Sequence, residues 1–267
     1  MSAETTARVG AGATVRPAKI ADLVAGVLRE RILSGELPDG AELPKQDDLL
    51  AEFGISQPPL REALRILESE RLITVRRGNV GGAVVHRPSE AAAASLVAMV
   101  LQSRQATLGE LVAAMAAIEP LCVAAAAARA DRATAVLPRL RATLDAAAGA
   151  VDDADAYTGL ARRFHTDIVA TCGNAALEVV CGVLEATWTA HVDLIARSAG
   201  ALGAYTDVAA RRESVEEHER IYGAIEAGDA AEAERLARAH TGDGRRDGWR
   251  IDLSQPVDSA LVFGNGR

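Results

Sequence analysis

A three-residue break between two short amphipathic segments constrains the fold of this chain more than any other feature. The first segment, at about residues 45–53, ends at Gly54, and Ser56 stands two residues later as a helix N-cap. Pro58 and Pro59 follow in the first turn, where the N–H group that proline lacks would have no partner within the helix. This junction predicts a helix-turn-helix, in which the first helix braces the second for entry into the major groove of DNA.

The second helix of the pair has an apolar face and a polar face. The apolar face has the spacing i, i+3, i+4, i+7 and consists of Leu60, Ala63, Leu64 and Leu67. The other face presents Gln57, Arg61 and Arg65, spaced by four residues. Arginine can bind guanine edges or phosphates, glutamine can pair with adenine, and the helix N-terminus attracts phosphate. The alternative is a solvated face on which the arginines pair with Glu62 or Glu68.

The flanking segments complete a DNA-binding domain. A longer amphipathic helix is predicted at 18–34, before the pair. Two β-prone runs, at 72–75 and 83–85, surround a glycine-rich segment and predict a hairpin wing. Arg76 and Arg77 at its tip can contact the DNA backbone or the minor groove. Because helices and basic wing follow in this order, DNA binding is favoured over a solvated face.

Beyond Ser89 the composition favours helices, since aromatic residues make up only 3% and most apolar residues are Ala, Leu and Val. Short breakers separate the predicted helices, at 89–104, 107–129, 132–149, 154–172, 175–199, 206–227 and 229–242. Helices joined by short loops predict an antiparallel bundle. The fold class is therefore mainly α: a flexible arm (1–17), a winged helix-turn-helix with a β-hairpin wing (18–87), an all-α antiparallel bundle (88–242) and a tail (243–267).

The charge distribution supports two domains with different functions. Residues 1–88 hold 12 basic and 12 acidic residues, and the other 17 basic and 25 acidic residues account for the net charge of −8. Three cysteines form no paired framework, which indicates a reducing cytoplasm. No apolar run approaches the roughly 18 residues of a membrane span, and no signal peptide is evident. We therefore expect a cytoplasmic protein without a membrane partner.

The N-terminal motif resembles the DNA-binding domain of the GntR family. The resemblance rests on Ile32, Gly35–Gly40, Leu43-Pro44, Leu49–Ser56 and Pro58–Leu64. Gln57 stands where the family very often has arginine, and Asp47 where some relatives have one that contacts DNA. The resemblance and the helix faces together give the expected DNA-binding residues: Lys45, Ser56, Gln57, Pro58, Arg61, Arg65, Arg76, Arg77 and Gly78.

Histidines are the informative residues of the second domain, because the chain has only five. His165, His218 and His240 lie within predicted helices. Three imidazoles that met in a bundle core could bind a divalent metal such as Zn or Ni. Isolated histidines on helices are more often ordinary core or surface residues, and periodicity does not show that these three meet.

The same histidines carry a second resemblance. Phe164-His165, Gly173–Leu177, His218–Ile225 and His240 are similar to the FCD ligand-binding domain of the FadR branch of the GntR family. The resemblance implies a helical bundle that senses organic acids, often with a metal held by one aspartate and three histidines.

This chain departs from that family pattern at two positions. It has Ala161 in place of the aspartate, and Met115 in place of an arginine often found four residues before the glutamate that matches Glu119. A three-histidine site completed by water or ligand is therefore expected, with an effector that is less acidic or more apolar than usual. The expected effector pocket contains Met115, Glu119, Ala161, Arg162 and His191, although packing is the alternative for His191.

These patterns predict a ligand-responsive transcriptional repressor that binds a palindromic operator as a homodimer, with residues 87–90 as the coupling linker. One rival is a three-histidine metalloenzyme, which needs a general acid or base near the metal. No acidic residue has the required helical spacing, and Glu219 points to another face than His218. A purely architectural DNA protein leaves the second domain without a purpose. The tail is either disordered or covers a partner subunit through Trp249 and Ile251.

Overall fold

The structure is a computed structural model that describes residues 17–76, 82–198, 208–242 and 252–264. It divides into two compact units, residues 1–89 and 90–267. Arg87 belongs to the first unit, where its backbone N–H donates to the carboxylate of Asp39 (2.8 Å) and its guanidinium to the carbonyl of Leu33 (3.1 Å). The boundary between the two units falls between Ser89 and Glu90, inside the expected linker at 87–90, whose coupling role stays a prediction.

The elements of the first unit follow the order α1 (Pro17–Ser34), α2 (Gln46–Phe53), α3 (Gln57–Ser69), β1 (Ile73–Arg76) and β2 (Gly82–Val85). The elements of the second unit are α4 (Glu90–Ser103), α5 (Leu108–Ala128), α6 (Arg132–Ala135), α7 (Leu137–Gly149), α8 (Ala154–Thr171), α9 (Ala175–Ser198), α10 (Val208–Ala227), α11 (Ala230–Gly242) and α12 (Ser259–Gly264). The mainly α fold class with a two-stranded hairpin is confirmed.

The first unit packs its helices against the hairpin around a single apolar core. Gly54 ends α2 with φ +60°, a left-handed conformation that glycine adopts without a Cβ clash. The buried face of α3 contains Leu60, Ala63 and Leu67, as its spacing predicts. The carboxylate of Glu68 accepts a hydrogen bond from the N–H of Val75 (3.1 Å), which joins α3 to the wing.

The hairpin is antiparallel, and Ile73 pairs with Val85 while Arg76 pairs with Gly82. Residues 40–43 extend its edge, since Leu43 donates to the carbonyl of Ala83 (2.8 Å) and Val85 donates to that of Ala41 (2.8 Å). The sequence analysis did not predict this pairing, because residues 40–43 lack the alternation of a strand.

Most helices of the second unit lie where the sequence places them, but the stretch predicted as one helix at 132–149 is divided into α6 and α7. The chain breaks at Val136, whose φ of −113° and ψ of −60° depart from helical values. Pro138 follows in the first turn of α7. Its missing N–H and the clash of its ring with the preceding turn explain why α6 stops there.

Helix α5 runs through the core of the second unit and packs against α11 and α9. By length and composition it is the one helix of the described residues that could cross a membrane. This corrects the expectation that no apolar run approaches that length. Its buried residues include Met115, Glu119, Cys122 and Val123, so about half of this apolar helix packs inside the bundle.

All four backbone N–H groups at the N-terminus of α5 have acceptors. Thr107 and Glu110 form a reciprocal capping box. The N–H groups of Leu108 and Gly109 donate to main-chain carbonyls of residues 255 (2.9 Å) and 253 (2.8 Å). The C-terminal residues 252–264 therefore return to their own unit, an outcome that neither alternative for the tail included; Trp249 and Ile251 lie outside the described residues.

Candidate functional site

The N-terminal end of α3 exposes a serine hydroxyl that no backbone group of the helix uses. Ser56 has the extended conformation of an N-cap (φ −84°, ψ 167°), but its side chain makes no capping hydrogen bond. An N-cap hydroxyl normally accepts from the N–H of the second or third helical residue. These residues are Pro58 and Pro59, which have no N–H. The Ser56 hydroxyl therefore stays available to an external partner.

The predicted DNA-binding side chains differ in how they are held. Lys45, Gln57 and Arg61 are exposed, and Arg61 pairs with no carboxylate of the described residues. Arg65 lies 3.4 Å from Glu62, so the pairing alternative applies to Arg65. That contact is weak, because both side chains are more than half exposed.

The wing contributes one described arginine. Arg76 ends β1 and lies 3.1 Å from Glu42. Both side chains are mostly exposed, so DNA phosphate can replace the carboxylate at little cost. Arg77 and Gly78 lie outside the described residues.

The second site is a buried group of three histidines. His165 on α8, His218 on α10 and His240 on α11 have ligand atoms that all lie within 4.8 Å of one another. The Nε2 of His240 lies 3.0 Å from the Nε2 of His218 and 3.4 Å from that of His165. Helix α8 and the consecutive helices α10 and α11 thus bring the Nε2 atoms of their histidines close together.

Two carboxylates orient two of these rings. Glu119 on α5 forms a short hydrogen bond with the Nδ1 of His165, and Glu217 on α10 lies 2.7 Å from the Nδ1 of His240. A carboxylate at Nδ1 favours the tautomer in which Nδ1 carries the proton. The Nε2 lone pairs of His165 and His240 then point into the group, as metal-binding imidazoles do.

His218 is held by packing. Its ring stacks on Phe164 at 4.4 Å between centroids, and its Nδ1 has no hydrogen-bond partner among the described residues. Burial, followed by the charges of His240 and His165, lowers the pKa of His218 well below its usual value. His218 is therefore neutral at pH 7 and keeps a lone pair for a cation.

The donor set fits a divalent transition metal. Neutral imidazoles with carboxylates behind them suit zinc or nickel, and three protein ligands leave a coordination position for water or another ligand. Ala161 lies one turn before His165 and is fully buried beside Tyr157 and Ala147. An apolar methyl therefore stands one turn before His165, at the position where the family resemblance implied an aspartate.

The other predicted pocket residues lie in different surroundings. Met115 is fully buried in an apolar cluster with Trp188, and Arg162 is half-buried. The Nδ1–H of His191 donates to the carbonyl of Thr187 (2.8 Å), and its Nε2 accepts from the N–H of Asp258 (2.8 Å). Both ring nitrogens of His191 are thus used for packing contacts, which was its alternative, and its place in a pocket stays a prediction.

Sequence reasoning named Glu119 as a pocket residue but did not identify its bond to His165, and it missed Glu217 altogether. Glu217 is adjacent to His218 in sequence, yet its side chain binds His240, 23 residues later. No spacing rule indicates this pairing, because it depends on how α10 and α11 pack.

The first unit is a winged helix-turn-helix, and the second is a helical unit that buries three histidines of the kind that bind metals. This combination is the architecture of a bacterial transcriptional regulator. Residues 20–84 match the family described as bacterial regulatory proteins, gntR family, and residues 110–243 match the FCD domain. The chain belongs to the gntR family and carries an FCD domain. It is a DNA-binding transcriptional regulator with a ligand-binding domain, and the family argues against the metalloenzyme alternative.

Known proteins extend this likeness. An uncharacterized HTH-type transcriptional regulator of Mycobacterium tuberculosis is 30% identical over 83% of this chain and 86% of its own length. A gluconate operon transcriptional repressor of Bacillus licheniformis is 48% identical, over 20% of this chain and 22% of its own. The solved structure of Streptococcus agalactiae GntR shares the fold with a TM-score of 0.62 at 22% identity, over 85% of this chain and 99% of the other.

Proposed function

We propose that this regulator is a cytoplasmic homodimeric repressor that senses a small molecule beside a metal ion held by His165, His218 and His240. The main support is that three Nε2 atoms lie close together. Two of them belong to rings that are oriented by carboxylates, the buried Glu119 and the half-buried Glu217. Neutral imidazoles in such contact are favourable when a cation accepts their lone pairs.

The residues around the three histidines have different roles. Glu119 and Glu217 keep protons on the Nδ1 atoms of their histidines, and Phe164 holds the ring of His218 by stacking. A bound metal supplies a Lewis-acidic position for an oxygen or nitrogen of the effector. All three histidines are buried, and a low local dielectric constant strengthens that contact.

The effector class follows from the side chains at two positions. Ala161 adds no charge to the metal, and Met115 adds no cation for a second carboxylate. We therefore propose a metabolite with one metal-binding group, such as a monocarboxylate or hydroxy acid, and with an apolar remainder. A gluconate operon repressor is among the similar proteins, but the shared region is too short to transfer its effector.

Operator binding is proposed to use α3 of two copies, because a twofold operator requires two recognition helices at fixed spacing. On α4 a stripe of exposed apolar side chains, Leu96, Met99 and Val100, has the spacing i, i+3, i+4. An exposed helical stripe of this kind is suited to burial against the same stripe of a second copy. Sedimentation of the full chain and of a Met99→Glu variant tests whether this stripe forms the dimer interface. A variant that remains as dimeric as the full chain excludes the stripe as that interface.

The metal proposal is tested by elemental analysis of purified, untagged protein beside a His165→Ala variant. One metal per chain that disappears in the variant supports the site. Protein that takes up no zinc or nickel after incubation and desalting contradicts the metal and leaves DNA binding untouched.

The DNA proposal is tested by footprinting on the region upstream of the protein's own operon. Protection of a site with twofold symmetry supports a dimeric repressor, whereas protection without symmetry contradicts it. Repeating the titration at several salt concentrations counts the phosphate contacts.

A further inference from the structure

The C-terminal segment, residues 252–264, lies beyond both family matches but is built into the second unit. We call it the C-terminal strap. Val257 is fully buried and Val262 is 8% exposed, and both belong to the apolar cluster that contains Trp188 and Met115. The strap therefore contributes to the core of the FCD domain, although it follows that domain in sequence.

Directed hydrogen bonds fix the strap to the start of α5. The carbonyls of Gln255 and Leu253 accept from the N–H groups of Leu108 and Gly109, at 2.9 and 2.8 Å. A Cβ at Gly109 would lie 3.2 Å from the Leu253 carbonyl oxygen, so a glycine permits this close approach. If the strap detaches, the N–H groups of Leu108 and Gly109 at the N-terminal end of α5 lose their acceptors.

Further bonds fix the strap to α4 and α9. The N–H and the hydroxyl of Ser259 donate to the side-chain oxygen of Gln102 on α4, at 3.1 and 2.6 Å. The Nε2 of His191 on α9 accepts from the N–H of Asp258, and its Nδ1 is engaged by Thr187. The strap thus links the two helices that pack against α12.

Helix α4 begins at Glu90, the first residue of the second unit, so the covalent connection to the DNA-binding unit enters the bundle at this helix. It packs against α9 and α12, while Leu96 and Val100 on its outer side are more than half exposed. The strap is accordingly one of the two elements of its own chain against which α4 is chiefly held.

We propose that the C-terminal strap is a latch that holds α4 in the position required for operator binding. When the strap is docked, α4 is fixed between α9 and α12. When it is released, α4 loses one of these supports and the two DNA-binding units of a dimer lose their fixed spacing. The part of this inference that concerns the operator rests on the proposed dimeric repressor.

Hydrogen exchange of the full chain, without DNA or metal, tests the hold on α4. Two variants weaken the hold of the strap on α4: a chain that ends at residue 251 removes the strap, and Gln102→Ala combined with Ser259→Ala removes its side-chain hydrogen bonds to α4 but keeps the segment. Both should exchange α4 amides roughly tenfold faster, because lost hydrogen bonds lower the local opening free energy. A chain lacking only residues 265–267 and a Ser254→Ala variant are the controls, since the Ser254 hydroxyl contacts Asp252 within the strap. Unchanged α4 exchange in the double variant overturns the latch.

The second measurement compares affinity for a twofold operator with affinity for a single half-site. Strap release should lower the ratio of the two affinities at least about tenfold and leave half-site binding unchanged, because each α3 remains intact. An unchanged ratio, even with faster α4 exchange, also overturns the latch. A full chain with no preference for the twofold site contradicts the dimeric repressor and the operator part of the latch, whereas the exchange data still decide whether the strap holds α4.

Discussion

The Nε2 atom of His240 lies 3.0 Å from the Nε2 atom of His218, and within the part of the chain that the structure describes neither ring uses this atom for a backbone contact. Glu217 occupies the opposite nitrogen of His240, which favours a lone pair on its Nε2. Two facing lone pairs repel unless a proton or a metal ion lies between them. A neutral His218 ring with its proton on Nε2 and a metal ion bound between the rings both satisfy this contact, and the proposed metal site requires the second arrangement.

Removing one imidazole should abolish metal binding. The metal-free chain is expected to bind one zinc per chain and to gain about 2.7 kcal/mol of stability at a zinc concentration a hundred times Kd. The His218→Ala variant should gain none, because two imidazoles alone bind zinc weakly. Thermal unfolding with and without zinc measures this. His86→Ala is the matched control, since His86 lies in the first unit beside Thr74 (2.9 Å), and loss of the zinc effect there would contradict the assignment.

The carboxylates behind the rings should tune metal affinity. Glu119→Gln and Glu217→Gln are each expected to weaken zinc binding about 10- to 100-fold, because they remove the charge that orients and polarises the imidazole. Glu219→Gln is the control: Glu219 is adjacent to His218 in sequence but pairs with Arg141 (2.9 Å) instead of a histidine. Competition titration against a zinc chelator gives the three affinities, and equal losses in all three variants would exclude an orienting role.

The metal-free protein should lose stability in acid. Burial, followed by the neighbouring charges of His240 and His165, holds the pKa of His218 well below 6.5. Below about pH 6.5 the unfolded chain binds a proton there that the folded chain does not, so the free energy of unfolding falls as pH decreases, by at most about 1.4 kcal/mol per unit. Urea unfolding between pH 5 and 8 measures the slope. A His218→Gln variant should show a shallower slope, and an identical slope would exclude His218 as its source.

Replacing Ser56 should separate helix stability from DNA affinity. Because Pro58 and Pro59 offer no N–H to its hydroxyl, Ser56→Ala should change the free energy of unfolding by less than about 0.5 kcal/mol. The same variant should weaken operator binding, since the hydroxyl remains free to bind phosphate. Thr107→Ala, at an N-cap that accepts from Glu110, should instead cost about 1 kcal/mol of stability. A large stability loss in Ser56→Ala would disprove the reasoning.

Arg61 should contribute more to operator binding than Arg65. Arg61 pairs with no described carboxylate, whereas Arg65 must leave Glu62 first. Arg61→Ala should weaken operator binding by about 1–3 kcal/mol and reduce discrimination at one base pair, if it contacts a guanine edge. Fluorescence anisotropy on wild-type and substituted operators distinguishes base readout from a uniform phosphate effect. Arg235→Ala, an exposed arginine paired with Glu232 in the second unit, should leave affinity unchanged.

Local chemistry made the helix-turn-helix predictable. Gly54 and the proline pair act on their own backbone, and the spacing of Leu60, Ala63 and Leu67 follows from 3.6 residues per turn. The division of the predicted helix at 132–149 was missed, although Pro138 was a local signal for it. The apolar length of α5 was likewise visible in the sequence and underestimated.

Long-range contacts were outside the reach of sequence patterns. The bonds of Glu119 to His165 and of Glu217 to His240 join residues 46 and 23 positions apart. His191 shows the same limit, because its two hydrogen bonds are settled by the return of residues 252–264 to α9. The sequence alone does not distinguish a histidine that binds a metal from one that is used for packing.

Sequence patterns predicted most of the helices, the position of the DNA-binding motif and the residue types that a metal would need, because helix caps, prolines and apolar spacing act within a few residues. The tertiary structure alone decided that three Nε2 atoms meet, that carboxylates stand behind two of the rings and that the C-terminal strap closes the start of α5. These facts depend on packing between helices far apart in the chain, where the free energy of burial acts on the whole bundle and leaves no periodic trace in any one segment.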